Sequence, residues 1–199
     1  MSDITRRDAL RRLALVLTAG GLVDRVAAQE VHQIASLAQA ATGGTYTPRG
    51  LTPHEYRTLE RLTDLIVPVE NGAPGALAAG AAAWIDMLTS VNDQLKTTYG
   101  SGIAWLDGAM KARGGDTFLA ASAGDQTALL DQIAYRRNTS PELDPGIQFF
   151  TWVRRMTVDA FYTSEIGIRD IDYRGNTALV SYPAPTESIA YALKRSGLG

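Results

Sequence analysis

IQFFTWVRRMTVDAFY, residues 147–162, is the stretch on which the fold turns. Phe149, Phe150, Val153, Met156, Thr157, Ala160 and Phe161 recur at three- and four-residue steps, the spacing that gathers side chains on one face of an α-helix. The apolar stripe is broad, and a helix that is greasy over a wide arc needs cover on several sides. The segment is therefore predicted as the central helix of an all-α domain, and the rest of the chain has to supply its neighbours.

Upstream, LTPHEYRTLERLTDLIVP, residues 51–68, carries the signals of a helix start. Thr52 is placed to cap, Pro53 occupies the first helical position, where a missing N–H costs nothing, and Glu55 stands three places after the cap to close a capping box. Tyr56, Leu59, Leu62, Thr63 and Ile66 would face inward, and Pro68 ends the run. PVENGAPGALAAG, residues 68–80, reads as a shaped loop with turns at Asn71–Gly72 and Pro74–Gly75. A second helix is predicted over Leu77–Ser90, burying Trp84, Ile85 and Leu88 among alanines. Val91, Leu95, Tyr99, Ile103, Leu106 and Met110 predict a third over Val91–Arg113, with Gly100 and Gly102 as points where it could break. Ser122, with Asp125 at the third position, predicts a fourth that buries Leu129, Leu130 and Ile133 and sets Arg136 and Arg137 against its negative pole.

Beyond Thr163 the text changes. Gly167, Gly175, Pro183 and Pro185 interrupt any period, and only a short helix near Glu187–Arg195 is expected. The fold expectation is an all-α, compact, orthogonal or irregular helical bundle with a long irregular C-terminal strap that braces the helices or offers a binding surface.

The N-terminus has a different purpose. Arg6, Arg7, Arg11 and Arg12 precede the apolar run Leu13–Val23, which is too short to span about 30 Å of hydrocarbon. A basic head, a short apolar neck and small residues at Ala27 and Ala28 fit an export signal, with cleavage before Gln29 and retention both open. Arg6 and Arg7 within TRRDAL resemble the bacterial twin-arginine pattern, an address read by a receptor. The expected division is residues 1–28 as export signal, 29–50 as N-terminal extension and linker with a short helix over Glu30–Ala41, and 51–199 as the helical domain.

Bulk chemistry excludes much. The 199-residue chain has 19 basic and 21 acidic residues and no cysteine. It therefore offers no disulfide, thiolate metal site, iron–sulfur ligation or thioether attachment for haem. Without residues 1–28 it would keep 14 basic and 18 acidic residues, net −4, which gives no general attraction to nucleic acid. The two histidines, His32 and His54, match no zinc-binding spacing and are expected in a flexible start and on an exposed helix turn. The glycine loops lack the order GxGxxG. Asp170 and Asp172 flank Ile171, so extended backbone would put both carboxylates on one face, as a solvated turn, a partner contact or an acid–base pair. Trp84, Trp105 and Trp152, spread over three helices, read as internal packing. Tyr162, Tyr173 and Tyr182 read as interface candidates, because each joins apolar area to a hydroxyl.

Two blocks, LTPHEYRTLERLTDLIVPVENGAPGALAAG (51–80) and FFTWVRRMTVDAFYTSEIGIRDIDYRGN (149–176), together resemble the gluconate 2-dehydrogenase subunit 3 family. The resemblance implies a noncatalytic small subunit with no cofactor of its own. Its large partner would be a flavin-dependent dehydrogenase of the glucose–methanol–choline type that holds FAD and oxidises a sugar, sugar acid or polyol. A c-type cytochrome subunit, carrying haem, would take the electrons and tie the complex to the periplasmic face of the inner membrane. The small subunit would support maturation of the flavoprotein and its passage through the twin-arginine machinery. By the same resemblance Arg6 and Arg7 are export residues, and Tyr162, Thr163, Ser164, Glu165, Tyr173, Gly175 and Asn176 fall in the block near the complex interface; Asp170, Asp172 and Tyr182 join them as candidates. The other expectations are a transient export chaperone and a stand-alone enzyme working through Asp170 and Asp172.

Overall fold

The structure, a computed structural model, describes residues 29, 31–36, 46–173 and 184–197. Residues 31–36 are helical (α1). The further helices are α2 (Pro53–Ile66), α3 (Ala81–Thr89), α4 (Asp93–Ala112), α5 (Ala123–Ile133), α6 (Asp144–Tyr162), α7 (Glu165–Asp170) and α8 (Thr186–Ser196). No strand occurs among the described residues, only an isolated bridge between Glu70 and Ala73. None of these helices is long and apolar enough to cross a membrane.

Helix α6 is central, as its stripe predicts: it packs against α2, α3, α4, α5 and α7. Phe149, Phe150, Val153, Met156, Ala160 and Phe161 are all buried along it. Of the tryptophans, Trp84 is fully buried, while Trp105 and Trp152 lie half-buried against the same core. At the start of α2 the Thr52 hydroxyl accepts from the Glu55 N–H at 3.3 Å and the Glu55 carboxylate accepts from the Thr52 N–H at 2.7 Å, which closes the predicted box. Ser122 caps α5 through the Asp125 N–H at 3.1 Å.

Several boundaries differ from the expectation. Helix α4 runs through Gly100 and Gly102 without a break. A Cβ on Gly102 would overlap the Phe149 ring, and one on Gly146 would overlap Trp105. Both glycines let α4 and α6 approach closely, which outweighs their poor helix propensity. Helix α3 starts at Ala81, later than Leu77, because Gly80 takes a left-handed φ of 68° after the turn at residues 76–80. Arg136 and Arg137 lie beyond α5, in a 3-10 turn. Arg137 there sits 4.4 Å from the Tyr135 ring centroid.

The expected linker is tied down where it is described. Asp86, fully buried in the middle of α3, accepts four hydrogen bonds. They come from the Tyr46 hydroxyl at 2.7 Å, the Arg49 N–H at 2.7 Å, the Gly50 N–H at 3.0 Å and the Leu51 N–H at 2.8 Å. A Cβ on Gly50 would overlap Thr89, so glycine is required for this close approach. Both ordinary ways of satisfying a buried carboxylate, backbone N–H groups and a hydroxyl, are used here.

Candidate functional site

Where it is described, the tail is more regular than Gly167 suggests. At the end of α6 the Thr163 hydroxyl folds back to donate to the Asp159 carbonyl at 2.6 Å, and Ser164 then caps a new helix by accepting from the Gly167 N–H at 3.0 Å. Its own hydroxyl donates to the Phe161 carbonyl at 2.6 Å. A Cβ on Gly167 would overlap that same carbonyl oxygen, so α7 presses its first turn onto the end of α6. Glu165 and Arg169 pair along the exposed side of α7. The chain leaves through Asp172, at a left-handed φ of 47°, with the Tyr173 N–H donating to the Ile168 carbonyl at 3.1 Å.

This geometry sorts the predicted residues. Tyr162, Glu165, Asp170, Asp172 and Tyr173 are exposed around one corner, Thr163 is half-buried, and Ser164 is buried and committed to its cap. Gly175, Asn176 and Tyr182, like Arg6, Arg7 and Ala28, lie outside the described residues. The expectation that Asp170 and Asp172 share one face of an extended strand is corrected: Asp170 closes a helix and Asp172 turns in the left-handed region.

Four apolar or aromatic side chains here are partly exposed. Val158 and Tyr162, one helical turn apart on α6, are 38% and 40% exposed, and Ile171 and Tyr173 beyond α7 are 52% and 43% exposed. The Tyr162 ring stands edge-on to buried Phe161 at 5.0 Å, so it is braced from below.

Both histidines are placed differently from the expectation. His54 meets Asp107 at 2.7 Å, and the other oxygen of Asp107 accepts from the Phe118 N–H at 2.9 Å. His54 thus ties α2 to α4 and to the loop after it; it is not a loose surface group. His32 is half-buried, its ring 5.9 Å from that of Trp84 and its Nε2 3.1 Å from the Thr163 hydroxyl oxygen. The Thr163 hydroxyl thus lies between the Asp159 carbonyl and the imidazole. No signal in the sequence marks these partners, which lie up to 131 residues away.

Burial pushes the His32 imidazole down to about 4, partly offset by a backbone hydrogen bond to Ala160. The unfolded chain binds the proton near pH 6.5 and the folded chain only near 4. Stability is therefore complete above about 6.5 and falls with pH until about 4, by roughly 3 kcal/mol at 1.36 kcal/mol per unit. We expect the urea midpoint of the wild type to drop over this window relative to His32→Phe, which keeps a ring and removes the titration. Parallel profiles would exclude the assignment.

Among the described residues no three His, Asp or Glu side chains cluster as metal ligands, and no strand leads into a glycine-rich turn that could cradle a dinucleotide. Asp159 carries a carboxyl raised by burial and lowered in part by Arg155, 3.7 Å away. Elsewhere, a cleft of about 380 Å³ between α4 and α6 is lined by Trp105, Phe149 and Trp152 with uncharged polar residues at its rim. What the described residues define is a helical bundle built around α6. Residues 53–179 match the family described as Gluconate 2-dehydrogenase subunit 3, and the chain belongs to that family. It is thereby placed with the small, noncatalytic subunits of FAD-dependent sugar dehydrogenase complexes, and membership implies association with a catalytic flavoprotein subunit. No curated protein and no solved structure matches the chain.

Proposed function

We propose that this chain docks on the FAD-dependent catalytic subunit of a sugar dehydrogenase of the glucose–methanol–choline type, supports its maturation and escorts it to the periplasm. The observation that carries the reading is the exposed corner of Val158, Tyr162, Ile171 and Tyr173, set on a helical domain of this family. FAD and the substrate belong to the large subunit, and a membrane-associated c-type cytochrome takes the electrons at the inner membrane. The physical logic is division of labour. A flavoprotein that folds around FAD in the cytoplasm needs a route for folded proteins, and a bound companion carrying Arg6 and Arg7 supplies the address. A preorganised helical bundle reduces the ordering cost of that association.

Co-production of the full chain with the flavoprotein tests the reading. A stable complex holding one copy of each after export supports a resident subunit, whereas a chain that leaves its client after translocation would be a transient chaperone. Tyr173→Ala should weaken the complex by roughly 2 kcal/mol, about 30-fold in Kd, as an interface anchor does. The isolated chain should keep its thermal midpoint. An equal loss in the isolated chain would make Tyr173 a folding residue.

A further inference from the structure

Between α2 and α3 the chain doubles back in a two-residue turn. Glu70 and Ala73 close it through paired backbone bonds, the Glu70 N–H donating to the Ala73 carbonyl at 3.2 Å and the Ala73 N–H to the Glu70 carbonyl at 2.8 Å. The central residues, Asn71 and Gly72, sit at positive φ, 50° and 83°, the conformation that favours Asn-Gly in such turns. We propose that Asn71 is a site of spontaneous covalent modification, at which attack by the Gly72 backbone nitrogen converts the side-chain amide to a carboxylate.

The step needs only solvent. The Gly72 amide nitrogen, after losing its proton to base in the water, bonds to Asn71 Cγ; the Cγ–Nδ2 bond breaks, and Nδ2 takes up a proton and leaves as ammonia. A cyclic imide remains, and one water opens it at either carbonyl to give aspartate or isoaspartate at position 71. Nothing is oxidised or reduced.

Four asparagines occur in the chain, and the structure separates the three that it describes. Asn92 is followed by Asp93, and its Oδ1 caps α4 by accepting from the Leu95 N–H at 3.0 Å. Asn138 is followed by Thr139, and its Nδ2 donates to the Gln132 carbonyl at 2.8 Å. Both side chains are committed to a partner, and the residue after each carries a side chain that crowds the attacking nitrogen. Asn71 and Gly72 are exposed, and a Cβ built on Gly72 would meet no atom within 4 Å, so the approach is open. The turn has to flex for the nitrogen to reach Cγ, which costs two backbone bonds at an exposed loop tip and leaves the helices intact. Below the turn the loop stays closed, because the Ala76 N–H donates to the Val67 carbonyl at 2.8 Å. The product therefore differs locally: aspartate adds a carboxylate beside Glu70, and isoaspartate adds a methylene to the backbone of the turn.

Peptide mapping by mass spectrometry, on the full folded chain held in mildly alkaline buffer, tests this with the other asparagines as internal standards. Asn71 should convert at least about tenfold faster than Asn92 and Asn138, a barrier lower by about 1.4 kcal/mol. Its rate should rise with pH, because the deprotonated nitrogen attacks. Gly72→Ala should slow conversion by a similar factor, since the methyl group crowds that nitrogen. A side chain at φ 83° is strained and loosens the turn, so tighter closure cannot explain the slowing. Conversion of Asn71 in urea but not in the folded chain would show that the turn shields it and would overturn the proposal. So would conversion at Asn92 or Asn138 that keeps pace with Asn71, or a Gly72→Ala chain that reacts at the wild-type rate.

Discussion

Replacing Arg6 and Arg7 together by lysine is expected to leave most of this subunit and most of its flavoprotein partner in the cytoplasm. The positive charge is unchanged in that variant, so a purely electrostatic role would survive it. What is lost is the planar guanidinium fork, which donates in a geometry that an ammonium cannot reproduce. A charge-assisted hydrogen bond contributes roughly 1.5–3 kcal/mol, and losing one at each position amounts to about 3 kcal/mol or more, over about 100-fold in receptor occupancy. Fractionation followed by detection of both proteins reads the result. Normal export of both would end the escort proposal, and export of the flavoprotein alone would show that it carries its own address.

Asp86→Ala is expected to cause the largest loss of stability in the folded domain. The carboxylate is the common acceptor for the Tyr46 hydroxyl and three consecutive backbone N–H groups, and those of Gly50 and Leu51 are buried. Leaving a buried donor unsatisfied costs about 1–3 kcal/mol, so two cost roughly 2–6 kcal/mol against a total of about 5–15 for an ordinary domain. The urea midpoint should fall accordingly. Asp86→Asn should fall less, because one carbonyl oxygen remains to accept from Gly50 and Leu51 while the amide faces two donors. A midpoint for Asp86→Ala within about 0.5 kcal/mol of wild type, the range of an ordinary surface change, would show that water replaces the carboxylate.

The consequence reaches beyond stability. Residues 46–51 are pinned by Asp86, and upstream of them Val31 and Ala35 of α1 are buried in the same core.

How much of this was legible depends on the range of the interaction. The capping box at Thr52, the cap at Ser122 and the stripe of α6 are local, written within a few residues, and the structure has all three. Gly100 and Gly102 misled the reading of α4 because propensity speaks only for the isolated helix, whereas Gly102 is used where Phe149 leaves no room for a Cβ. Gly167 likewise looked like a sign of irregular chain and instead lies in the first turn of a short helix capped by Ser164. One signal for Asp86 was present, a lone acid inside the apolar run AAAWIDML. Read as an anomaly it asks for a buried partner, though nothing in it says which.

The amino-acid order by itself determined that this protein is helical, where α2 and α5 start, that α6 lies at the centre and that thiolate chemistry is absent, since caps, periodicity and composition act over one or two turns. Only the tertiary structure decided that His32 meets Thr163, that His54 meets Asp107, that Asp86 holds the incoming chain and that Asp170 and Asp172 part company. These are encounters between residues that need not be near in sequence, and they form because packing around α6 brings buried polar groups to the partners that burial obliges them to find.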